Sequence, residues 1–81
     1  MARVVLARSL ASLTAGQLEH RVEGRNVRQI IAALEQRFPG LGETITAGMA
    51  VAIDGEIHAD PLLESVGPDS EVHFLPRVGG G

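Results

Sequence analysis

Hydrophobic and polar residues alternate with two different periods along the chain, and the change of period separates strands from a helix. The aliphatic run at 4–7 is typical of a strand that is buried on both faces. Leu18, His20 and Val22 then alternate with polar neighbours. This period of two predicts a second strand with those three residues on its inner face.

The period changes to that of an α-helix after Asn26. Asn26 is a good N-cap, and Gln29 can complete a capping box with it. Pro39 and Gly40 then stop the helix. We predict one main helix at 27–38, followed by a loop at 40–48 that holds no more than one short turn. The apolar residues that recur at helical spacing, and so share one face, are Val27, Ile30, Ile31, Leu34 and Phe38.

Three more strands follow, at 49–53, 56–58 and 71–75. Asp54-Gly55 between the first two is typical of a type I′ hairpin turn, in which both central residues need positive φ. Strands with one helix packed on one face of their sheet form a two-layer α+β domain. We expect the last strand to lie beside the first, which gives a mixed sheet of about five strands in the β-grasp, or ubiquitin-like, arrangement.

Composition excludes several classes of function. The chain has 81 residues, a net charge of −3 and no cysteine, so we expect one small compact domain without disulfides, thiolate metal sites or cysteine nucleophiles. Its basic residues, all arginine, are scattered among the acids and form no tract for nucleic acid or an anionic membrane. No apolar stretch has the length of a membrane helix or of a signal-peptide core. We therefore expect a cytoplasmic protein.

Side chains that could carry chemistry are few and separated. His20, His58 and His73 lie on different predicted strands, without the spacing of metal ligands, so we expect no metal site. His20 is interpreted as a packing residue, and the other two as exposed strand positions. The carboxylates cluster in turns, where we expect them to interact with water: Asp54, Glu56, Asp60 and Asp69. We therefore expect the domain itself not to be an enzyme.

The C-terminus has the pattern with the most functional content. Val78, Gly79, Gly80 and Gly81 follow directly after the last strand. Because glycine has no side chain, such a segment can enter a narrow channel, and four extended residues span up to ~14 Å. We divide the chain into a domain at 1–77 and a flexible tail at 78–81. The alternative interpretation is a frayed end without a function.

The strand order, the length and the tail together make the sequence resemble the ubiquitin-like sulfur carrier proteins, above all the small subunit of molybdopterin synthase. The resemblance is carried by the segments 6–10, 37–41, 51–55 and 69–81. The last of these matches best, because it leads through a turn, a strand and a proline to a terminal Gly-Gly. Three residues depart from the usual family pattern and leave the pathway open: Ser70, Arg77 and Gly79.

The resemblance implies a mechanism centred on Gly81. An ATP-dependent activating enzyme, similar to the ubiquitin-activating enzymes, would adenylate its carboxylate. A persulfide-level sulfur donor would then convert the acyl-adenylate into a thiocarboxylate. The sulfur would be delivered in the large subunit of molybdopterin synthase or in another sulfur-accepting enzyme. The chain itself would bind no cofactor, since the ATP belongs to the activating enzyme.

The last strand is also the predicted docking element. We expect Val72 and Phe74 to face the helix, because this assignment buries the larger aromatic residue. His73, Leu75 and Arg77 would then form the docking rim from which the tail emerges. An exposed apolar surface of this kind usually marks an interaction site.

Two other classes of function also fit the sequence. The first is a protein modifier that forms isopeptide bonds through Gly81, although a chain without lysine cannot build lysine-linked chains on itself. The second is a ubiquitin-like binding module whose tail is incidental. Among sulfur carriers, thiamine, cysteine, tRNA thiolation and specialised metabolites are alternative pathways to molybdopterin.

Overall fold

The structure is a computed structural model that describes residues 1–58 and 60–77. Five strands form one sheet in the order β2-β1-β5-β3-β4, with β1 parallel to β5 and the other neighbours antiparallel. This mixed sheet, with the helices on one face, confirms the predicted β-grasp fold. Its elements are β1 (Ala2–Leu6), a 3₁₀ helix (Arg8–Leu13), β2 (Glu19–Val22), α1 (Val27–Arg37), α2 (Leu41–Gly48), β3 (Met49–Ile53), β4 (Glu56–His58) and β5 (Glu71–Pro76).

The hydrophobic core lies between the sheet and α1. Val72 and Phe74 of β5 are fully buried there, together with Ile30 and Leu34 of α1. The prediction that Val72 and Phe74 face the helix is therefore confirmed. The last strand also lies beside the first, as predicted, so the two most apolar strands are neighbours.

The first strand is buried on one face, which corrects the prediction that both of its faces are buried. Val4 is fully buried in the core, whereas Val5 is half-buried on the opposite face of the sheet. Val5 has Glu19 and His73 as its neighbours on the adjacent strands. These polar neighbours cover it only in part.

The main helix begins and ends as its sequence dictates. The Asn26 side chain accepts a hydrogen bond from the Gln29 N–H at 2.9 Å. The Gln29 side chain accepts in return from the N–H of Arg25 at 2.7 Å, one residue before the position in a regular capping box. The helix ends at Arg37, and Phe38 is its C-cap. The predicted helix at 27–38 is therefore right to within one residue.

The segment at 40–48, predicted as a loop, forms the helix α2. Its two glycines and two threonines are poor helix formers, so its own sequence does not account for it. The Glu35 carboxylate accepts hydrogen bonds from the N–H groups of Gly40 and Gly42 at 2.9 and 2.8 Å, which caps the first turn. Its buried apolar residues are Leu41 and Ile45. In the part of the chain that the structure describes, no helix is long and apolar enough to cross a membrane.

The hairpin between β3 and β4 has the predicted turn. Asp54 and Gly55 both have positive φ, 50° and 85°, as a type I′ turn requires. The Asp54 side chain accepts a hydrogen bond from the Glu71 N–H at 2.8 Å, and the Asp54 N–H donates to the Glu71 carbonyl at 2.8 Å. The hairpin is thus joined to the start of β5.

Candidate docking surface around the last strand

The last strand is the central strand of the sheet and is paired along its whole length. β1 pairs with it on one side and β3 on the other. The pairing continues to Pro76, which lies opposite Met49, and Arg77 is the last described residue. The C-terminal segment therefore begins from the most firmly held strand of the domain. Its predicted site residues lie outside the described residues: Val78, Gly79, Gly80 and Gly81.

The face of the sheet opposite α1 forms a mostly apolar surface, which we call the open face. One row of residues crosses four strands, because Val5 pairs with His73, His73 with Ala52, and Ala52 with Ile57. Ile57 is 67% exposed. Ala52 is only 7% exposed, although it does not belong to the core cluster on the other face of the sheet. The open face comprises Val5, Ala50, Ala52, Ile57, His73 and Leu75.

A network of ion pairs borders the open face. Arg3 on β1 contacts Glu71 on β5 at 2.5 Å and Glu19 on β2 at 3.0 Å. The other carboxylate oxygen of Glu71 accepts a hydrogen bond of 2.6 Å from Nε2 of His73. This bond orients the imidazole ring of His73 within the open face.

The same network sets the protonation of its acids. The hydrogen bond from His73, followed by the one from Arg3, lowers the pKa of the Glu71 carboxyl. The hydrogen bond from Arg3 lowers the pKa of Glu19, and the two glutamates together raise the pKa of Arg3. Both acids beside the open face are therefore held as ionised, paired groups.

Arg77 is exposed and lies where three hollows meet at the base of the C-terminal segment. One hollow, of about 360 Å³, opens on the sheet side beside Ala50 and Ile57. A second, of about 180 Å³, leads towards Leu62 on the helical side. The third, of about 600 Å³, is lined by Ser9. The predicted docking residues His73, Leu75 and Arg77 thus lie together on the last half of β5 and directly after it.

The three histidines have separate environments. His20 is 8% exposed, donates from Nε2 to the Gln17 carbonyl at 2.7 Å and packs edge-on against Phe38 at 5.3 Å. Its interpretation as a packing residue is confirmed. His58 and His73, predicted as exposed, are half-buried. Each contacts a carboxylate, Glu64 at 3.5 Å for His58 and Glu71 for His73, and these contacts cover part of each ring.

The carboxylates predicted in turns lie at the surface of the domain. Asp54, Glu56, Asp60 and Asp69 are all exposed, and Asp54 also caps the start of β5. No group of three or more histidine, aspartate or glutamate side chains within residues 1–58 and 60–77 could hold a metal ion. Across the same residues, every buried side-chain nitrogen or oxygen atom has a hydrogen-bond partner.

The groove between the two helices was not predicted from the sequence, because α2 was predicted as a loop. The signals for α2 were the spacing of four between Leu41 and Ile45, the glycine at position 40 and Glu43 in the first turn. They were outweighed by the low helix propensity of the segment.

A single mixed sheet with one main helix across it defines the chain as a β-grasp protein. A model of the ThiS family matches residues 4–81. The chain belongs to this family, and the predicted membership of the ubiquitin-like sulfur carriers is confirmed.

Several solved structures share this fold. A chain of the BexX/CysO complex of Amycolatopsis orientalis is 22% identical over the whole of both chains, with a TM-score of 0.88. CysO of Mycobacterium tuberculosis is 19% identical, covering 96% of this chain and 100% of that one, with a TM-score of 0.87. The small archaeal modifier protein 1 of Methanosarcina acetivorans is 23% identical, covering 99% and 95%, with a TM-score of 0.81. No curated protein matches the chain in sequence.

Proposed function

We propose that this chain carries sulfur on its C-terminal carboxylate, at Gly81, and that an E1-like enzyme activates this group with ATP. The observation that supports the proposal best is the position of the terminal Gly80-Gly81. It follows, after a few residues, the paired end of the central strand at Pro76. A partner that holds the domain can therefore receive a narrow segment at a defined place.

The proposed chemistry needs one group of this chain. A Gly81 carboxylate oxygen bonds to the α-phosphorus of ATP, and pyrophosphate leaves. The terminal sulfur of a persulfide donor attacks the carbonyl carbon, and AMP leaves. A thiol of the donor system then takes the inner sulfur into a disulfide, which leaves the thiocarboxylate on Gly81. The chain binds no cofactor in this scheme, and since activation consumes ATP we place it in the cytoplasm.

The open face is the proposed docking surface for the activating enzyme. Its centre is apolar, with Ile57 67% exposed, and contiguous apolar patches of this kind mark interaction sites. Glu19 and Glu71 are already paired with Arg3, so Arg77 gives the tail end of this surface a positive charge. A partner surface with an apolar centre and an acid opposite Arg77 fits this arrangement.

For the acceptor we propose the large subunit of molybdopterin synthase, where the sulfur would enter the dithiolene of the cofactor. The support is the resemblance of the segment 69–81 to the small subunit of that enzyme. Another sulfur-accepting enzyme would use the same tail chemistry. The test is sulfur transfer from the thiocarboxylate form to the purified large subunit with its substrate.

Protein modification through Gly81 is the second candidate. It is favoured by the likeness to a structure whose name describes a small archaeal modifier protein. Here the acyl-adenylate would be captured by a lysine amine of a target, and an isopeptide bond would form. Recovery of target peptides joined to Gly81 would support this candidate.

The intact mass of the protein from its own cells tests the carrier proposal directly. We expect a fraction whose mass corresponds to exchange of one oxygen for sulfur, located at Gly81 by fragmentation. The fraction should disappear when Gly80 and Gly81 are deleted, because the chain then ends without a Gly-Gly. A C-terminus that is always an ordinary carboxylate, in cells that contain the activating enzyme, would contradict the proposal.

A further inference from the structure

A long groove runs between α1 and α2, on the side of the domain away from the open face. Its volume is about 710 Å³. The residues from α1 are spaced by three, four and seven positions and so form one stripe of the helix, beside the stripe that faces the core. We call this the back groove; it is lined by Arg28, Ile31, Ala32, Glu35, Gly40, Gly42, Glu43, Thr46, Ala47 and Leu62.

Hydrogen bonds fix both ends of the back groove. At one end, the Leu62 carbonyl accepts from the Arg28 N–H at 2.9 Å, which holds the loop against the start of α1. At the other end, the Glu35 carboxylate accepts from the N–H groups of Gly40 and Gly42. The walls are therefore preformed, and binding would require little ordering of this chain.

The middle of the back groove is apolar and has room for side chains of a partner. Ala32 and Ala47 are exposed and small, and Leu62 is 38% exposed. Two polar groups here already have hydrogen-bond partners within the chain. The Thr46 hydroxyl donates to the Gly42 carbonyl at 2.8 Å, and the Glu35 carboxylate accepts from the Gly42 N–H.

A basic residue lies at one end of the back groove and an acidic residue at the other. Arg28 lies at the start of α1, whereas Glu43 lies in the first turn of α2, near Glu35. Arg28 and Glu35 are seven residues apart on one helix, about 10 Å along its axis, which is the length of two turns of a partner helix. The dipole of such a helix fits best with its N-terminus near Glu43 and its C-terminus near Arg28.

We propose that the back groove binds an amphipathic helix of a partner protein. Its apolar stripe would lie on Ala32, Ala47 and Leu62, with a basic residue opposite Glu43 and an acidic residue opposite Arg28. Recognition of this kind places apolar anchors of one helix face into a groove.

The position of the back groove gives this helix a role. The groove shares Ile31, Thr46 and Leu62 with the hollow that reaches Arg77, so a bound helix lies beside the base of the C-terminal segment. It leaves the open face uncovered. On the proposed function, on which this role rests, the partner stays bound to the carrier while the accepting enzyme replaces the activating enzyme on the open face.

Photo-crosslinking in the cells of origin tests the proposal. A benzoylphenylalanine is placed at Ala47 of the full chain, and the crosslinked peptide is identified by mass spectrometry. We expect a segment with helical apolar spacing and the predicted acid and base. The same probe at Ser12, which is exposed on the 3₁₀ helix, is the control and should not capture this segment.

Charge reversal then tests the orientation. Glu43→Arg and Arg28→Glu should each lower the crosslink yield by about tenfold or more, because like charges would face each other. Arg25→Glu, outside the groove, should leave it unchanged. Reversing the matching charge in the captured segment should restore the yield.

Several outcomes would overturn the proposal. They are no crosslink at Ala47, a crosslink to a second copy of this chain, and a yield that the charge reversals leave unchanged. The mass of the C-terminus is measured in the same sample. A thiocarboxylate without the crosslink contradicts the back-groove proposal alone, whereas the crosslink with an unmodified carboxylate contradicts the carrier chemistry alone.

Discussion

Glu35 and Gly42 are joined by a hydrogen bond of 2.8 Å from the Gly42 N–H to one oxygen of the Glu35 carboxylate. The other oxygen accepts from the N–H of Gly40 at 2.9 Å. A carboxylate in this place satisfies N–H groups that a helix start leaves free, and it complements the helix dipole. A side chain near the end of α1 thus caps α2 and joins the two helices.

The first prediction is that Glu35 makes stability depend on pH in the acid range. The hydrogen bonds from Gly40 and then Gly42 lower the pKa of its carboxyl below the ordinary value of 4.5. A lowered folded-state pKa gives stability that is complete above the unfolded-state pKa and is lost as the pH falls through the folded-state pKa. Glu35→Gln should therefore lower the free energy of unfolding at pH 7, and the difference from wild type should shrink below about pH 4.5.

Urea unfolding of the wild type and of Glu35→Gln between pH 7 and pH 3 measures this difference. Glu56→Gln, an exposed carboxylate of the β3–β4 hairpin, is the control and should have no effect at pH 7. A Glu35→Gln deficit that is constant from pH 7 to pH 3 would show that the ionised carboxylate is not what caps α2.

Two glycines of α2 should respond in opposite directions to alanine. A Cβ at Gly42 would lie 3.0 Å from Glu35 Oε1 and 3.1 Å from Glu35 Cβ, whereas one at Gly48 meets nothing within 4 Å. Gly48→Ala should stabilise the protein by up to about 1 kcal/mol, the gain in helix propensity. Gly42→Ala should destabilise it, because overpacking costs about 1–3 kcal/mol and exceeds that gain. Equal effects of the two substitutions in urea unfolding would contradict the close approach of the helices at Gly42.

Elements that depend on the local hydrophobic period were predicted from the sequence. Elements that depend on contacts between distant residues were missed. The alternation along β5 correctly placed Val72 and Phe74 on one side of the strand, and the size of Phe74 correctly indicated that this side faces the core. α2 was missed, since its cap comes from Glu35 on the preceding helix and its own glycines and threonines favour a loop.

The ion pairs beside the open face could not be predicted from the sequence for the same reason. Arg3 and Glu71 are separated by 68 positions and meet only because β1 and β5 run parallel in register. No spacing in the sequence reports such a pair. His73 is half-buried between its sheet neighbours Val5 and Ala52. Both neighbours are distant from it in sequence, so it was predicted as simply exposed.

Leu75 should contribute to binding far more than to folding. It is half-buried on the open face, opposite Ala50. Leu75→Asp should weaken binding to the activating enzyme by about 1–3 kcal/mol, the range of a moderate hot spot. The melting temperature should change little, since the side chain stays outside the core.

Two control variants show what is expected of an exposed leucine outside the open face and of a core residue. Leu63→Asp changes a leucine that is 77% exposed and lies outside the open face, so neither binding nor melting should change. Phe74→Ala, in the core, should cost about 3–5 kcal/mol of stability. If Leu75→Asp instead lowers the melting temperature as Phe74→Ala does, Leu75 is a folding residue and the docking proposal is wrong.

The terminal glycines should be required for function and not for folding. Deleting Gly80 and Gly81 removes no side chain, so the free energy of unfolding should change by less than about 0.5 kcal/mol, as for ordinary surface changes. Sulfur transfer should be abolished, because the reacting carboxylate is displaced from the partner's active site. Transfer by the shortened chain would contradict the carrier chemistry proposed for Gly81.

Gly80 should tolerate substitution poorly even when Gly81 is intact. A Cβ at this position widens the segment where it must pass through the partner's channel and restricts the φ values that it can adopt. We expect Gly80→Val to fold with an unchanged melting temperature but to be adenylated slowly, as measured by pyrophosphate release with the activating enzyme. Val78→Ala, which makes the same segment narrower, is the matched control and should be adenylated at the wild-type rate. A wild-type rate for Gly80→Val as well would mean that the channel is wide there and that the glycine is incidental.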